Sequence, residues 1–354
     1  MRRHLPVLVL LLVAPLALAQ GTDAGLPPPP PTPPPPPPPP AVLRHTRTVD
    51  GLQLQALMMV APDAADPARA AADDAFAEYA RVLQLMEGMD GAVQRVERNA
   101  GVAPVPVAPE AFLIISEAAR IAALTDGAYD PTVAAYASAW PFDDMNNNQS
   151  PAPEELQRRS ALVDYKQLVV DPVAQTALLK KPGMKLDLKE PTRGLALDRA
   201  MTILRDKGFG DSVIYAGGDL VVSGHKGGKR WMVGIQDPRG SGHFAALPVA
   251  GGAVFTVGDY ERSFMERGRR QHSVLDPRTG QPARAARSVT VLAPTGIEAA
   301  ALSTAVFVMG PERGMKLAER LPNVNALMVD DRNRVLATRG VANNVKYRPP
   351  TDGP

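Results

Sequence analysis

Apolar residues recur at helical spacing in four stretches of the chain. From Ala64 to Gly88, an Ala-rich run, Phe76, Tyr79, Val82, Leu83 and Met86 fall at spacings of about three and four, which predicts a helix with one buried face. Phe112, Ile115, Ala119 and Ala122 share a face between Pro109 and Thr125. Asp126-Gly127 and Asp130-Pro131 then break the pattern as turns. A third helix opens at Pro191, because proline suits a first turn. It buries Leu195, Ala196, Ala200, Ile203 and Leu204 and stops at Gly208. The fourth runs from Ile297 to Met309, behind the capping box Thr295-x-x-Glu298, and Gly310-Pro311 stops it.

Shorter apolar runs read as strands. They are Thr48 to Val60 (one strand or two), Leu168 to Val170, Lys185 to Asp187, Val213 to Ala216, Leu220 to Val222, Trp231 to Ile235 and Ala253 to Val257. Asn325 to Val329 and Arg334 to Thr338 read as a closing hairpin. Residues 90–99 are irregular or helical, and the polar stretch 141–160 is a loop leading into a short helix. Helices and strands alternate without a βαβ rhythm, which predicts an α+β fold with mixed or antiparallel sheets and packed helices.

Composition adds the compartment and removes several chemistries. Arg2 and Arg3, the apolar run Leu5 to Leu16 and Ala17-Leu18-Ala19 before Gln20 form a secretory signal over residues 1–19, with an uncleaved N-terminal anchor as the alternative. Residues 27–40 are proline except Thr32, so residues 20–42 read as an extended polyproline II spacer rather than part of a core. The folded domain is expected over residues 43–340, with a C-terminal tail over 341–354. The chain has no cysteine, which excludes disulfides, thiolate metal sites and a cysteine nucleophile. A net charge of +2 gives no basic field for nucleic acid. The five histidines show no H-E-x-x-H spacing, and there is no G-x-S-x-G.

The candidate chemistry centres on His272-Ser-Val-Leu-Asp276-Pro-Arg-Thr-Gly280, where a strand-like run ends in a polar turn. Alone, that is a surface turn. It stands, however, in an ordered series: TDGAYDPTV (125–133), KLDLKEPTRGLALD (185–198), YAGGDL (215–220), TVGDYER (256–262), HSVLDPRTG (272–280), SVTVLAP (288–294) and EAAALSTAVFVMG (298–310). This series resembles the periplasmic flavin transferases of the ApbE type, over roughly residues 43–340. The resemblance implies a T-fold-like architecture. It also implies Mg²⁺-dependent transfer of FMN from FAD to a threonine of a periplasmic or membrane-bound electron-transfer protein.

Residue by residue, the resemblance implies that Thr304 binds the metal and Asp187 contacts FAD. Arg193 falls against the cofactor, Ala128, Tyr129 and Asp130 line its pocket, and Val274 offers backbone to the flavin nucleotide. His272 and Asp276 are candidates for proton handling or for ordering the site. The departures weaken the metal site. The family's metal aspartate, four residues before the threonine and so on the same helix face, is Ala300. Ser303 offers only a hydroxyl, and Glu298, about 200° round the helix from Ala300, points elsewhere. Glu190 is the candidate replacement carboxylate. The family's Gly-Gly-Ile-Ala-Lys-Gly is Lys189-Glu190-Pro191-Thr192-Arg193-Gly194, its Thr-Ser-Gly-Asp-Tyr is Thr256-Val257-Gly258-Asp259-Tyr260, and its N-terminal Met-Gly-Thr is Asp50-Gly51-Leu52. Three functions stay open: an active transferase, a catalytically impaired relative that binds flavin nucleotide or a protein partner, and FAD pyrophosphate hydrolysis without transfer, which needs the same metal.

Overall fold

The structure, a computed structural model, describes residues 38–49, 51–142, 144 and 148–353. The expected signal segment, most of the proline tract, and Asp50, Asn146 and Asn147 lie outside the described residues. A hairpin of β1 (Ala41–Val49) and β2 (Leu52–Val60) leads into the long helix α1 (Ala65–Glu87) and the short α2 (Ala92–Arg98). Strand β3 (Val105–Pro106) precedes α3 (Pro109–Leu124), α4 (Ala134–Ala137) and α5 (Pro153–Ser160). Strands β4 (Leu168–Asp171) and β5 (Thr176–Leu179) precede α6 (Lys189–Asp206). Next come β6 (Ser212–Ala216), β7 (Asp219–Ser223), β8 (Trp231–Gln236), β9 (His243–Val249) and β10 (Gly251–Gly258). A small hairpin, β11 (Ser263–Glu266) and β12 (Arg269–His272), is followed by β13 (Ala286–Ala293) and α7 (Gly296–Arg320). The chain closes with β14 (Asn325–Asp330), β15 (Val335–Ala337), α8 (Arg339–Ala342) and β16 (Lys346–Tyr347).

Eight strands form one sheet in the order β1-β2-β6-β7-β10-β13-β14-β15, antiparallel at every pairing. Alternation along each strand gives the sheet two apolar faces. Leu54, Ala56, Met58, Ile214, Phe255 and Val291 face the layer of α1, α6 and α7. Val213, Leu220, Val222, Val254 and Val329 face a smaller antiparallel sheet, β16-β9-β8. In β8 the period of two is plain: Trp231, Val233 and Ile235 are buried and Met232, Gly234 and Gln236 are not. Each large buried apolar side chain contributes roughly 1.5–3 kcal/mol. An exposed ion pair such as Arg69–Asp66 contributes about 0–1 kcal/mol, so these two apolar layers, not the surface charges, hold the fold.

Two expectations are corrected. Lys185 to Asp187 is not a strand: the Leu186 N–H donates to the Glu97 carboxylate at 2.8 Å and the Asp187 N–H to the Pro131 carbonyl at 2.7 Å, so this extended piece is pinned outside any sheet. Helix α6 starts two residues before Pro191, which still sits in its first turn. Within the expected tail, β16 pairs with β9 and the Thr351 hydroxyl donates to Asp237 at 2.7 Å. Gly310-Pro311 does break its helix: Gly310 takes φ 74°, and a second helical segment follows it within α7.

Helices α6 and α7 cross with their backbones in contact. A Cβ on Gly194 would lie 2.3 Å from the Gly296 carbonyl carbon, and a Cβ on Gly296 would lie 2.2 Å from the Gly194 oxygen. The Asp198 carboxylate accepts the Gly296 N–H at 2.8 Å, and the Thr295 hydroxyl accepts the Glu298 N–H at 3.3 Å, so the first turn of α7 is capped from both sides. Gly194→Ala is expected to force the helices apart and to cost about 1–3 kcal/mol. Urea denaturation measures it as a lower midpoint at unchanged slope. Gly210→Ala, where an added Cβ meets nothing within 4 Å, is expected to leave the midpoint unchanged.

Candidate active site

The crossing of α6 and α7 sets the floor of an open cleft. The start of α6 contributes Lys189, Glu190 and Pro191, with Asp187 just before it, and α7 contributes Ser303 and Thr304. The turn after α3 supplies Ala128, Tyr129 and Asp130 as one wall, extended by Trp140 and Phe142. The end of β10 with Glu261 and Arg262 and the segment Ser273, Val274 and Leu275 complete the lining, and Leu275 packs in one cluster with Trp140. Of the residues singled out in the sequence, Ala128, Tyr129, Asp130, Asp187, Glu190, Val274, Ser303 and Thr304 therefore meet in one place.

Several of these are already committed to holding the walls. Asp130 Oδ1 accepts from the Thr132 N–H and hydroxyl at 2.8 and 2.6 Å, and Oδ2 accepts the Tyr165 N–H at 2.9 Å. Burial pushes its carboxyl up, and these bonds pull it back only in part. Tyr129 is buried, and burial raises its phenol well above the ordinary range. Asp187 Oδ1 accepts the Lys189 N–H at 3.3 Å, while the Asp187 N–H ties the start of α6 to the Asp130-Pro131 corner through Pro131. Trp140 stacks on Phe142 with ring centroids 5.2 Å apart. Its Nε1–H donates to the Gly280 carbonyl at 3.0 Å, which anchors the 276–280 turn to the wall.

Arg193 lies behind this cleft. Its guanidinium donates to the Glu190 carboxylate and, at 3.0 Å, to Asp219, whose Oδ1 accepts the Thr256 N–H at 3.2 Å. Burial disfavours its charge, and Glu190 and Asp219 more than restore it. Asp219 is itself pushed well up, first by burial and then by Glu190. Arg193 faces an adjoining hollow lined by Tyr79, Leu83 and Glu87, which shares Lys189, Glu190 and Arg262 with the main cleft.

His272 and Asp276 build the wall rather than face the cleft. His272 is 2 % exposed, and its Nε2 donates to the Ala283 carbonyl at 2.8 Å. Its ring meets Phe307 edge-on at 5.7 Å. Burial lowers its pKa to about 4, so the ring is neutral. Asp276 accepts the Arg278 N–H and Nε–H at 3.0 and 2.9 Å and Nη2–H at 2.7 Å, which closes its own turn. Gly280 takes φ +69° there, and a Cβ would strike the Tyr136 ring.

The side chains present do not fit a Mg²⁺ site, which calls for several hard oxygen ligands including carboxylates. Ala300 is buried and offers a methyl group where the resemblance implies an aspartate. The Ser303 hydroxyl is turned back onto the Ala300 carbonyl at 2.8 Å. Glu190 is neutralised by Arg193, which leaves the Thr304 hydroxyl on α7. Among the described residues, no three His, Asp or Glu side chains group as metal ligands.

Sequence reasoning passed over Glu261. It lines the cleft and is exposed to solvent. The signal was present in the TVGDYER segment, whose glutamate directly follows the turn.

A sequence model of the ApbE family matches residues 51–328. An FAD:protein FMN transferase of Treponema pallidum is 31% identical over 274 residues, 73% of this chain and 75% of the relative. One of Escherichia coli K12 is 31% identical over 238 residues, 65% of this chain and 68% of the relative. The crystal structure of the Thermotoga maritima ApbE protein superposes with a TM-score of 0.76 at 30% identity, covering 85% of this chain and 98% of that one. A Vibrio cholerae flavin transferase, 24% identical with a TM-score of 0.74 over 86% of this chain and 100% of that one, shares the fold.

The depressed pKa of His272 has a consequence for stability. The folded value, about 4, lies below the ordinary 6.5, so the fold favours the neutral ring. The contribution is complete above pH 6.5 and is lost as pH falls through about 4, on the order of 3 kcal/mol in all. His272→Phe is expected to remove that acid-sensitive part, measured as the difference between the two proteins' urea midpoints across this range. Parallel curves contradict it.

Proposed function

This chain belongs to the ApbE family, and on that premise we propose that it transfers FMN from FAD to a threonine hydroxyl of an acceptor protein. The observation that carries the reading is the assembly of the matching segments around one cleft with two chemically different ends. The Trp140–Phe142 wall is flat and apolar, suited to an isoalloxazine ring. Lys189 places positive charge at the start of α6, where the helix dipole also favours a pyrophosphate, and Arg262, from the turn after β10, lines the same cleft. Transfer means that the acceptor oxygen attacks the phosphorus of the FMN half while the bridging bond to AMP breaks. The chain's own part is to hold the two halves of FAD against these ends and to meet the charge that develops on the phosphate oxygens.

The N-terminal signal supports a place outside the cytoplasm, and the acceptor is then an electron-transfer protein of the periplasm or of a membrane complex. A second reading, a relative that binds flavin nucleotide without transferring it, is favoured by one observation: Ala300 and the Arg193-bound Glu190 leave Thr304 without an anionic neighbour able to hold a metal.

Incubation with FAD and a threonine-bearing acceptor domain is expected to add FMN mass to the acceptor and to release AMP. The wild-type rate is expected to change less than about threefold with EDTA. Ala300→Asp, which puts a carboxylate one turn from Thr304, is expected to become Mg²⁺-stimulated by about tenfold or more. If both proteins bind FAD yet leave the acceptor unmodified, while an active relative modifies it, the binding-protein reading stands instead.

A further inference from the structure

We propose that Arg239 is a positioning residue for the FAD cleft and that the C-terminal residues 350–352 hold it in place, an assignment that rests on FAD binding in this cleft. The wall concerned is the end of β10 and the turn after it. Thr256, Val257, Gly258, Glu261 and Arg262 line the cleft, while Asp259 stays out of the lining. Arg239, from the loop between β8 and β9, clamps the Asp259 carboxylate through two parallel bonds of 2.7 Å. A guanidinium presents such a fork to a carboxylate and an ammonium does not. The two side chains are 8 % and 11 % exposed, so the clamp is shielded from solvent.

Arg239 is aimed by the end of the chain. Buried Asp237 accepts the Arg239 N–H on Oδ1 at 3.1 Å, and on Oδ2 the Thr351 N–H and hydroxyl at 2.9 and 2.7 Å. A Cβ on Gly240 would lie 2.8 Å from the Thr351 hydroxyl oxygen, so the tail is seated on bare backbone there. Either side of Thr351, the Pro350 carbonyl and the Asp352 carboxylate accept from Asn333 Nδ2 at 3.0 and 2.6 Å. Asn333 Oδ1 accepts from the Arg287 guanidinium at 3.1 Å, and the Arg287 carbonyl accepts the Asp259 N–H at 2.9 Å. The contacts therefore close a ring, from Asp259 through Arg239, Asp237, Thr351, Asn333 and Arg287 back to Asp259.

None of these six residues belongs to the two apolar layers that hold the fold. Opening the ring therefore slackens one wall of the cleft and leaves the core packed. A wall that must be ordered when the ligand arrives binds it more weakly than one already fixed. Asp259 links the two, because it is a ring member and directly follows Gly258 of the lining. The tail lies beyond the segment that matches the family, which ends at residue 328, so this support is a feature of this chain's own C-terminus.

The test measures FAD affinity and amide hydrogen exchange over residues 257–263 in full-length variants. Arg239→Lys keeps the charge but loses the fork, and is expected to weaken FAD binding about tenfold and to speed exchange over the turn. Thr351→Val loses the hydroxyl bond to Asp237 at an exposed position, and is expected to weaken FAD binding about threefold with faster exchange over the same turn. Thr351→Ser, which keeps the hydroxyl, is expected to restore both. Because the tail acts through Arg239, the double variant is expected to bind FAD within about twofold of Arg239→Lys alone. Unchanged exchange over 257–263 in Thr351→Val, unchanged FAD affinity in both single variants, or losses that multiply in the double variant overturn the proposal. A wild type that binds no FAD overturns it together with the flavin-transfer reading. A wild type that binds FAD and leaves the acceptor unmodified overturns that reading alone, and the binding results still decide the role of Arg239.

Discussion

The structure depends on one close approach, the contact between Gly194 of α6 and Gly296 of α7. No side chain fits between the two backbones, so their separation is fixed by peptide atoms and not by adaptable packing. The Asp198 carboxylate locks the crossing through the Gly296 N–H. Everything on the cleft floor is measured from that point: Lys189 and Glu190 one turn before Gly194, and Ser303 and Thr304 two turns after Gly296. The antiparallel sheet beneath then sets the height of the wall, because the end of β10 carries the turn with Glu261 and Arg262.

Most of this scaffold was legible in the sequence, for physical reasons that differ by element. The long helices announced themselves because one face must be apolar every three or four residues. Gly310-Pro311 marked a real break, though not the end of helical structure, since the residues after it have their own helical pattern. Strand β9 and the small hairpin of β11 and β12 were missed: β9 carries Pro248, and β11 and β12 are four residues each, the second wholly polar. Lys185 to Asp187 looked like a strand because its residues are extended, but extension is shared by segments pinned through a carboxylate and a lone carbonyl.

The site was readable as a place more than as a set of roles. Eight of the residues singled out do line one cleft, because motifs at turns and helix starts are where backbone topology brings distant segments together. Their roles depended on partners that no sequence spacing reveals. His272 is drawn into the core beside Phe307, Asp276 is consumed by Arg278, and Glu190 by Arg193. What lines the cleft besides them is the aromatic pair Trp140 and Phe142 and, at the start of α6, Lys189. Ala300 leaves a methyl group where the resemblance implies the metal carboxylate.

The central claim is that FAD occupies this cleft. A crystal structure of the chain in complex with FAD tests it most directly. The account predicts the isoalloxazine ring between the Trp140–Phe142 wall and Val274, with the pyrophosphate beside Lys189 and Arg262 at the start of α6. FAD bound elsewhere on the protein, with this cleft empty, would contradict it.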